Sequence, residues 1–181
     1  KAGAAAVAFD ILFAEPDRTS PNTILKQWKK FEGVSENPEL SDLISKLPDH
    51  DEVLASTLKR LPTVLGIMFD NSGDVRDRPD PKWSYAQQGN DPRRFFQSYS
   101  GVVKALDVLS SSTSGLGSIN STLDRDGIIR RVPLFVRLNS GEKFSKEIFP
   151  TLSVEALRVA QRASTYLLRS SGASGDKSFG E

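Results

Sequence analysis

Cysteine is missing from all 181 residues. That excludes a disulfide scaffold and every thiolate-based metal or redox centre. It does not decide the compartment, because proteins of oxidising compartments also fold without cysteine. Histidine is scarce too, with His50 the only one. Zinc sites draw on imidazole and thiolate, and the common hydrolases need a base beside an activated nucleophile, so both chemistries are close to excluded. His50 stands between Asp49 and Asp51 at an expected helix start, where a solvated residue of the cap region is the plain reading and a pH switch the alternative. No stretch approaches the ~20 apolar residues that cross a bilayer, and no signal peptide is visible. The chain begins at Lys1 and runs almost at once into strand-like sequence, so it reads as a piece of a longer protein, and any membrane anchor would lie outside it. An excess of one charge is lacking as well, since 24 Lys and Arg face 23 Asp and Glu for a net +1. No global field therefore draws in DNA or an acidic membrane surface. The basic pairs Arg93-Arg94 and Arg130-Arg131 lack the interleaved aromatics of a nucleic-acid platform, and no nucleic acid is expected as a partner. Gly115-Leu116-Gly117 lacks the third glycine and following helix of a dinucleotide fingerprint, and no Walker loop is present. No cofactor is expected.

What is present suits one folded domain. Hydrophobic residues make up 38% and charged residues 26%, a globular composition at a length that buries a core without staples. Residues 4–14 (AAAVAFDILFA) form an apolar run broken only by Asp10, which reads as a strand buried on both faces. Ser20-Pro21 opens a helix as cap and first residue, with Ile24, Leu25, Trp28 and Phe31 on one stripe, Lys26, Lys29 and Lys30 outside it, and Gly33 at its end. A second helix carries Leu40, Leu43, Ile44 and Leu47 up to Pro48. A third starts at Asp49, with Glu52 in capping-box spacing, and presents Val53, Leu54, Leu58 and Leu61. TVLGIMFD (63–70) is the second buried strand, and the order strand, helices, strand favours parallel pairing.

Residues 71–100 are polar and long for a structureless loop; the aromatics Trp83, Tyr85, Phe95 and Phe96 imply that they fold back onto the domain. A helix is expected over 101–110 with Val102, Val103, Leu106 and Leu109 inward, then a small-residue loop at 110–115. A strand over 116–124, a tight turn at Asp124-Arg125-Asp126-Gly127 and a returning strand over 128–138 make an antiparallel hairpin. Asn139-Ser140-Gly141 is a further turn and Lys143–Ser145 the start of a short strand. A helix over 150–168 carries Leu152, Ala156, Val159, Ala160, Ala163 and Leu167, and residues 169–181 form a flexible tail. The expected fold is thus one α/β domain, residues 1–168, with a mixed, partly parallel central sheet, helices on both faces and an antiparallel hairpin toward the C-terminus.

Few residues carry chemistry. Asp10 inside its apolar run needs a partner; Arg130 is the first choice, and a ligand role is the alternative. Asp124 and Asp126 sit in a fragment resembling a calcium loop, but apolar and basic residues follow where a distal glutamate is needed, so a hairpin turn is the better reading. On a strand Arg130 and Arg131 face opposite ways, and the outward one offers a guanidinium fork to a carboxylate or phosphate ligand. The candidate ligand-contacting residues are Asp10, Asp17, Trp83, Asn120, Arg130 and Arg131.

Four blocks in order, AVAFDILFAEPD (6–17), DEVLASTLKRLPTVLG (51–66), LGSINSTLDRDGIIRRVPL (116–134) and FPTLSVEAL (149–157), resemble the CHASE type 2 family of sensory domains outside the membrane in bacterial receptors. The resemblance spans roughly residues 5–160. It implies a domain on the periplasmic or extracellular face of the cytoplasmic membrane, held by flanking membrane helices that this sequence does not include. It implies an unknown small-molecule or protein signal, and a cytoplasmic output module: an adenylate or diguanylate cyclase, or a histidine or Ser/Thr kinase. It supplies no catalytic residues, so the domain itself is not expected to be an enzyme. The C-terminal helix, leading toward the next membrane segment, is the expected output element, and it and the polar insertion are the candidate homodimer faces. Two other classes stay open: a small-molecule enzyme using Asp10, Asp17, Asp124 or Asp126 as acid and base, and a ligand-free interaction module.

Overall fold

Thr63–Asp70 forms the strand around which the chain is arranged, and all of its residues except Met68 and Asp70 are buried. The computed structural model describes residues 3–28, 30, 37–75, 78–139 and 147–173. We number this central strand β2. Its β-branched and apolar run leaves no polar face, as suits a strand covered on both sides. On one edge β1 (Val7–Phe9) pairs parallel with Thr63–Leu65. On the other, β6 (Gly115–Ser118) pairs parallel with Val64–Ile67. Beyond β1, β5 (Gly101–Val103) runs antiparallel to Met68–Asp70.

The expected long strand over 4–14 is therefore corrected. Only three residues pair, and Val7 and Ala8 are exposed. β1 pairs only as far as Leu65, and β5 takes up β2 from Met68 onward. The chain peels away and passes over Gly66, whose missing Cβ would lie 3.2 Å from the Phe9 carbonyl oxygen. Farther on, the Phe13 carbonyl accepts the Leu106 N–H at 2.8 Å. The helix expected over 101–110 is corrected as well. Val102 and Val103 complete the β2 edge, and only α4 (Asp107–Ser110) is helical.

Three helices connect β1 to β2: α1 (Pro21–Trp28), α2 (Pro38–Ser45) and α3 (His50–Leu58). Asn37 caps α2 through the Leu40 N–H, and Asp49 caps α3 through the N–H groups of Asp51 and Glu52. Ser20 Oγ serves α3, accepting the His50 N–H at 3.0 Å. Of the expected stripe on α1, Leu25 is buried and Trp28 half-exposed, while Lys29, Phe31 and Gly33 lie outside the described residues.

Residues 71–100 contain structure of their own: β3 (Ser84–Gln88), a 3-10 turn (Pro92–Phe95) capped by Asp91, and β4 (Gln97–Tyr99). The hairpin expected from 116–124 and 128–138 does not form. β6 stays with β2, and β7 (Phe135–Leu138) joins another sheet, parallel to β4 and antiparallel to β8 (Ile148–Pro150). β7 and β8 supply the antiparallel pair near the C-terminus. A bridge between Ser118 and Thr151 ties this sheet to the central one. The turn at 124–127 is present: Gly127 takes φ +78° and its N–H donates to the Asp124 carbonyl. Residues 140, 141 and 143–145, expected as a turn and short strand, lie outside the described residues.

The helix expected over 150–168 ends early. α5 (Leu152–Ala160) stops at Gln161, Arg162 turns at φ +55°, and β9 (Thr165–Arg169) pairs parallel with β3. In β9 Tyr166 and Leu168 are partly buried while Thr165, Leu167 and Arg169 face out, so the period is two. Ser170–Ala173, expected as part of a tail, form a turn: Ser170 N–H donates to the Gln88 carbonyl, and Asn90 N–H to that of Ser171. Residues 174–181 lie outside the described residues.

Helices cover both faces of the central sheet. α5 lies against β6 so closely that a Cβ on Gly117 would sit 2.6 Å from Leu152 Cα. Leu65, Ile67 and Leu116, at the alternate positions, join Ala55 and Leu58 of α3 and Leu109 of α4 in the core. Aromatic rings then weld the sheets together. Phe69 meets Phe149 at 5.1 Å, Trp83 meets Phe149 edge-on at 6.0 Å, and Tyr166 contacts Tyr85 and Phe135 at 5.4 Å each.

Candidate functional site

The six residues marked by sequence do not converge. Asp10 is exposed just beyond β1. The expected Asp10–Arg130 pair is absent, because Arg130 is bidentate on Asp126 (2.7 and 2.9 Å) and also meets Asp124 at 3.1 Å. Arg131 lies 3.5 Å from Asp124 with its side chain 88% exposed. Residues 128–134 are not a strand, so the in–out alternation assumed for the two arginines does not apply. Arg130 holds the Asp126 carboxyl below its ordinary range, ahead of the Ile128 N–H. These contacts make 124–131 a self-paired turn.

Asp17 belongs to another joint. Its Oδ1 accepts the Thr19 N–H (2.7 Å) and hydroxyl (2.6 Å), its Oδ2 lies 3.3 Å from His50 Nδ1, and its own N–H donates to Asp51. The Thr19 bonds, aided by His50, lower the Asp17 pKa. An acid–base pair of carboxylates calls for clustering and raised values. Asp17 and Asp126 shift down, and each is committed to a different local network, so the enzyme reading finds no support in them.

Asn120 closes a strand edge. Its Oδ1 accepts the Phe69 N–H at 2.8 Å and its Nδ2 donates to the Phe69 carbonyl at 2.7 Å. The carboxamide thus does for Phe69 what a neighbouring strand would. Trp83 is buried among Phe149 and Tyr166.

Two charged groupings were not legible in the sequence. Glu155 and Arg158 on α5 form a buried pair, with Arg158 Nη2 and Nε at 2.6 and 2.8 Å from the carboxylate oxygens. Tyr166 donates its hydroxyl to Glu155, and Arg158 also donates to the carbonyls of Ser114 and Ala163. Burial pushes the Glu155 pKa up against the opposing pull of Arg158 and Tyr166. Burial likewise raises the Tyr85 and Tyr166 hydroxyls well above their usual range. Every strong group in this node is used internally.

The second grouping opens outward. A cleft of about 570 Å³ is lined by Asn90, Asp91, Arg93, Arg94 and Arg137. The 3-10 turn presents Arg93 and Arg94, and β7 presents Arg137. Glu147, its side chain only 2% exposed, lies behind them: Arg137 Nε donates to its Oε2 at 3.0 Å, and Arg93 Nη1 reaches the same oxygen at 3.7 Å. Asp91 holds Arg93 from the other side at 2.6 Å. Arg94 is exposed and stacks its guanidinium 4.7 Å from the Phe95 ring centre. The only sequence cue was the Arg93-Arg94 pair; nothing local ties it to Arg137, 43 positions on from Arg94.

No helix among the described residues is long and apolar enough to cross a membrane. Neither a comparison with curated proteins nor one with solved structures gives a match. A family model, the CHASE2 domain, matches residues 1–178. Nearly the whole chain is thereby covered, and the chain belongs to the CHASE2 family, a family of extracellular sensory domains.

Proposed function

We propose that this chain is the extracytoplasmic sensor domain of a bacterial transmembrane receptor, which detects a signal outside and controls a cytoplasmic cyclase or kinase module. Family membership over residues 1–178 is the observation that carries the reading. The physical route is a population shift: a ligand that binds one arrangement of the domain better than another biases the equilibrium by that difference in affinity. Under this reading flanking membrane helices connect the domain to its output module.

The chain's lack of cysteine supplies a clean test. Arg131→Cys, at a side chain 88% exposed, gives this domain a single thiol in the full-length protein, with any cysteines elsewhere replaced. A membrane-impermeant maleimide added to intact bacteria should label it. Labelling only after the cells are lysed would refute the placement.

A further inference from the structure

We propose that the cleft between the 3-10 turn (Pro92–Phe95) and β7 binds a small oxyanion of two or more negative charges, and that its guanidinium groups recognise a phosphate or carboxylate group. Three arginines line it and, among the described residues, two carboxylates, Asp91 and Glu147, pair with them, which gives those five groups an excess of one positive charge. The arrangement is more than a set of surface ion pairs. Glu147 is buried and does not line the cleft, so it fixes Arg137 and Arg93 from behind. Both arginines meet a single oxygen of that carboxylate, so one acid serves two cations. No carboxylate among the described residues pairs with Arg94, whose plane rests on Phe95. A planar guanidinium offers a phosphate or carboxylate a bidentate fork. The volume of about 570 Å³ falls in the range of small-molecule sites.

The meaning of such binding, a signal received, rests on the sensor reading; the binding itself does not. One wall of the cleft is hydrogen-bonded to the Ser170–Ala173 turn. Asn90 N–H donates to the Ser171 carbonyl at 2.9 Å, and the Ser170 hydroxyl donates to the Asn90 carbonyl. An anion that draws Asn90 inward therefore acts on Ser170–Ala173.

The test is calorimetric titration of this chain with inorganic phosphate and, separately, citrate, with chloride holding ionic strength constant so that general screening cancels. Saturable binding of at least one probe is expected. Arg94→Gln, which strands no buried acid, should weaken it about tenfold or more while leaving the thermal melt unchanged. Arg131→Gln, at an exposed cation outside the cleft, should leave it within about twofold. Tighter binding of phosphate assigns a phosphoryl ligand, and tighter binding of citrate a polycarboxylate. No saturable binding of either probe at about 10 mM would overturn the proposal. So would an Arg94→Gln variant that binds like the parent, or an Arg131→Gln variant weakened as much as Arg94→Gln. These titrations are blind to cellular location, so their failure leaves the maleimide result standing, and the reverse.

Discussion

Glu155 is, among the described residues, a fully buried acid paired with one cation. Its carboxylate is inaccessible and depends on the Arg158 fork and the Tyr166 hydroxyl. Breaking such a pair from one side leaves an uncompensated charge, which costs about 3–5 kcal/mol. Arg158→Met should therefore destabilise the domain by that order in urea denaturation. Replacing both partners removes the stranded charge, so Glu155→Leu/Arg158→Met should be more stable than the single variant; equal instability would contradict the account. The pH dependence has a definite sign. Burial already raises the folded-state pKa of Glu155 above its ordinary 4.5, and loss of Arg158 raises it further. A carboxyl with a raised folded value favours folding at low pH and loses that contribution as pH rises through the value. The single variant's deficit should thus be larger at pH 7 than at pH 4.5.

Sequence gave little access to this scale. Asp10 looks buried because its neighbours are apolar, yet the chain leaves the sheet after Phe9. Glu155 and Arg158 look like a surface i,i+3 pair, because nothing local says that β6 and Tyr166 of β9 will cover them. The Asp49 cap and the turn at 124–127 were readable, since they involve only near neighbours, whereas Ser20, expected to cap α1, turns its hydroxyl to His50 thirty residues on.

At the scale of elements, β2 matches its sequence pattern because propensity and burial agree there; α3 starts at its Asp49 cap as expected, but of its expected stripe Leu58 is buried while Val53 and Leu61 are exposed. The misreadings are at β1, β5, β7 and β9, and each is a short segment whose state is set by a distant partner. Val102-Val103 fill an edge left open by β1, and Thr165–Arg169 find β3 some 80 residues earlier. A stripe that includes Leu167 suits a helix on paper; in β9 that residue is 62% exposed. The contact between β6 and α5 offers a sharp test of the packing. Gly117→Ala places a Cβ 2.6 Å from Leu152 Cα, a backbone atom that cannot swing aside. Overpacking of this kind costs about 1–3 kcal/mol, and thermal unfolding should show a clear loss. Gly127→Ala, with φ +78° but nothing within 4 Å of the added carbon, should cost less. The reverse order would mean that α5 does not press on β6 as described.

For the whole molecule, membership of the family was legible because its blocks are spread along the chain in a fixed order. The arginine cleft was not, because its parts come from two elements that meet only in the folded domain. The cleft and the Ser170–Ala173 turn share Asn90, so a charge bound at one should be felt at the other. Under the sensor reading that turn leads toward the following membrane segment, which makes it the joint where occupancy must register. Backbone amide shifts of this chain, followed during titration with whichever of phosphate or citrate binds, test the coupling directly. The account predicts that the Asn90, Ser170 and Ser171 amides move along one binding curve with Arg93 and Arg94, and stay still in Arg94→Gln. Shifts confined to the arginines, with Ser170–Ala173 unmoved at saturation, would contradict it.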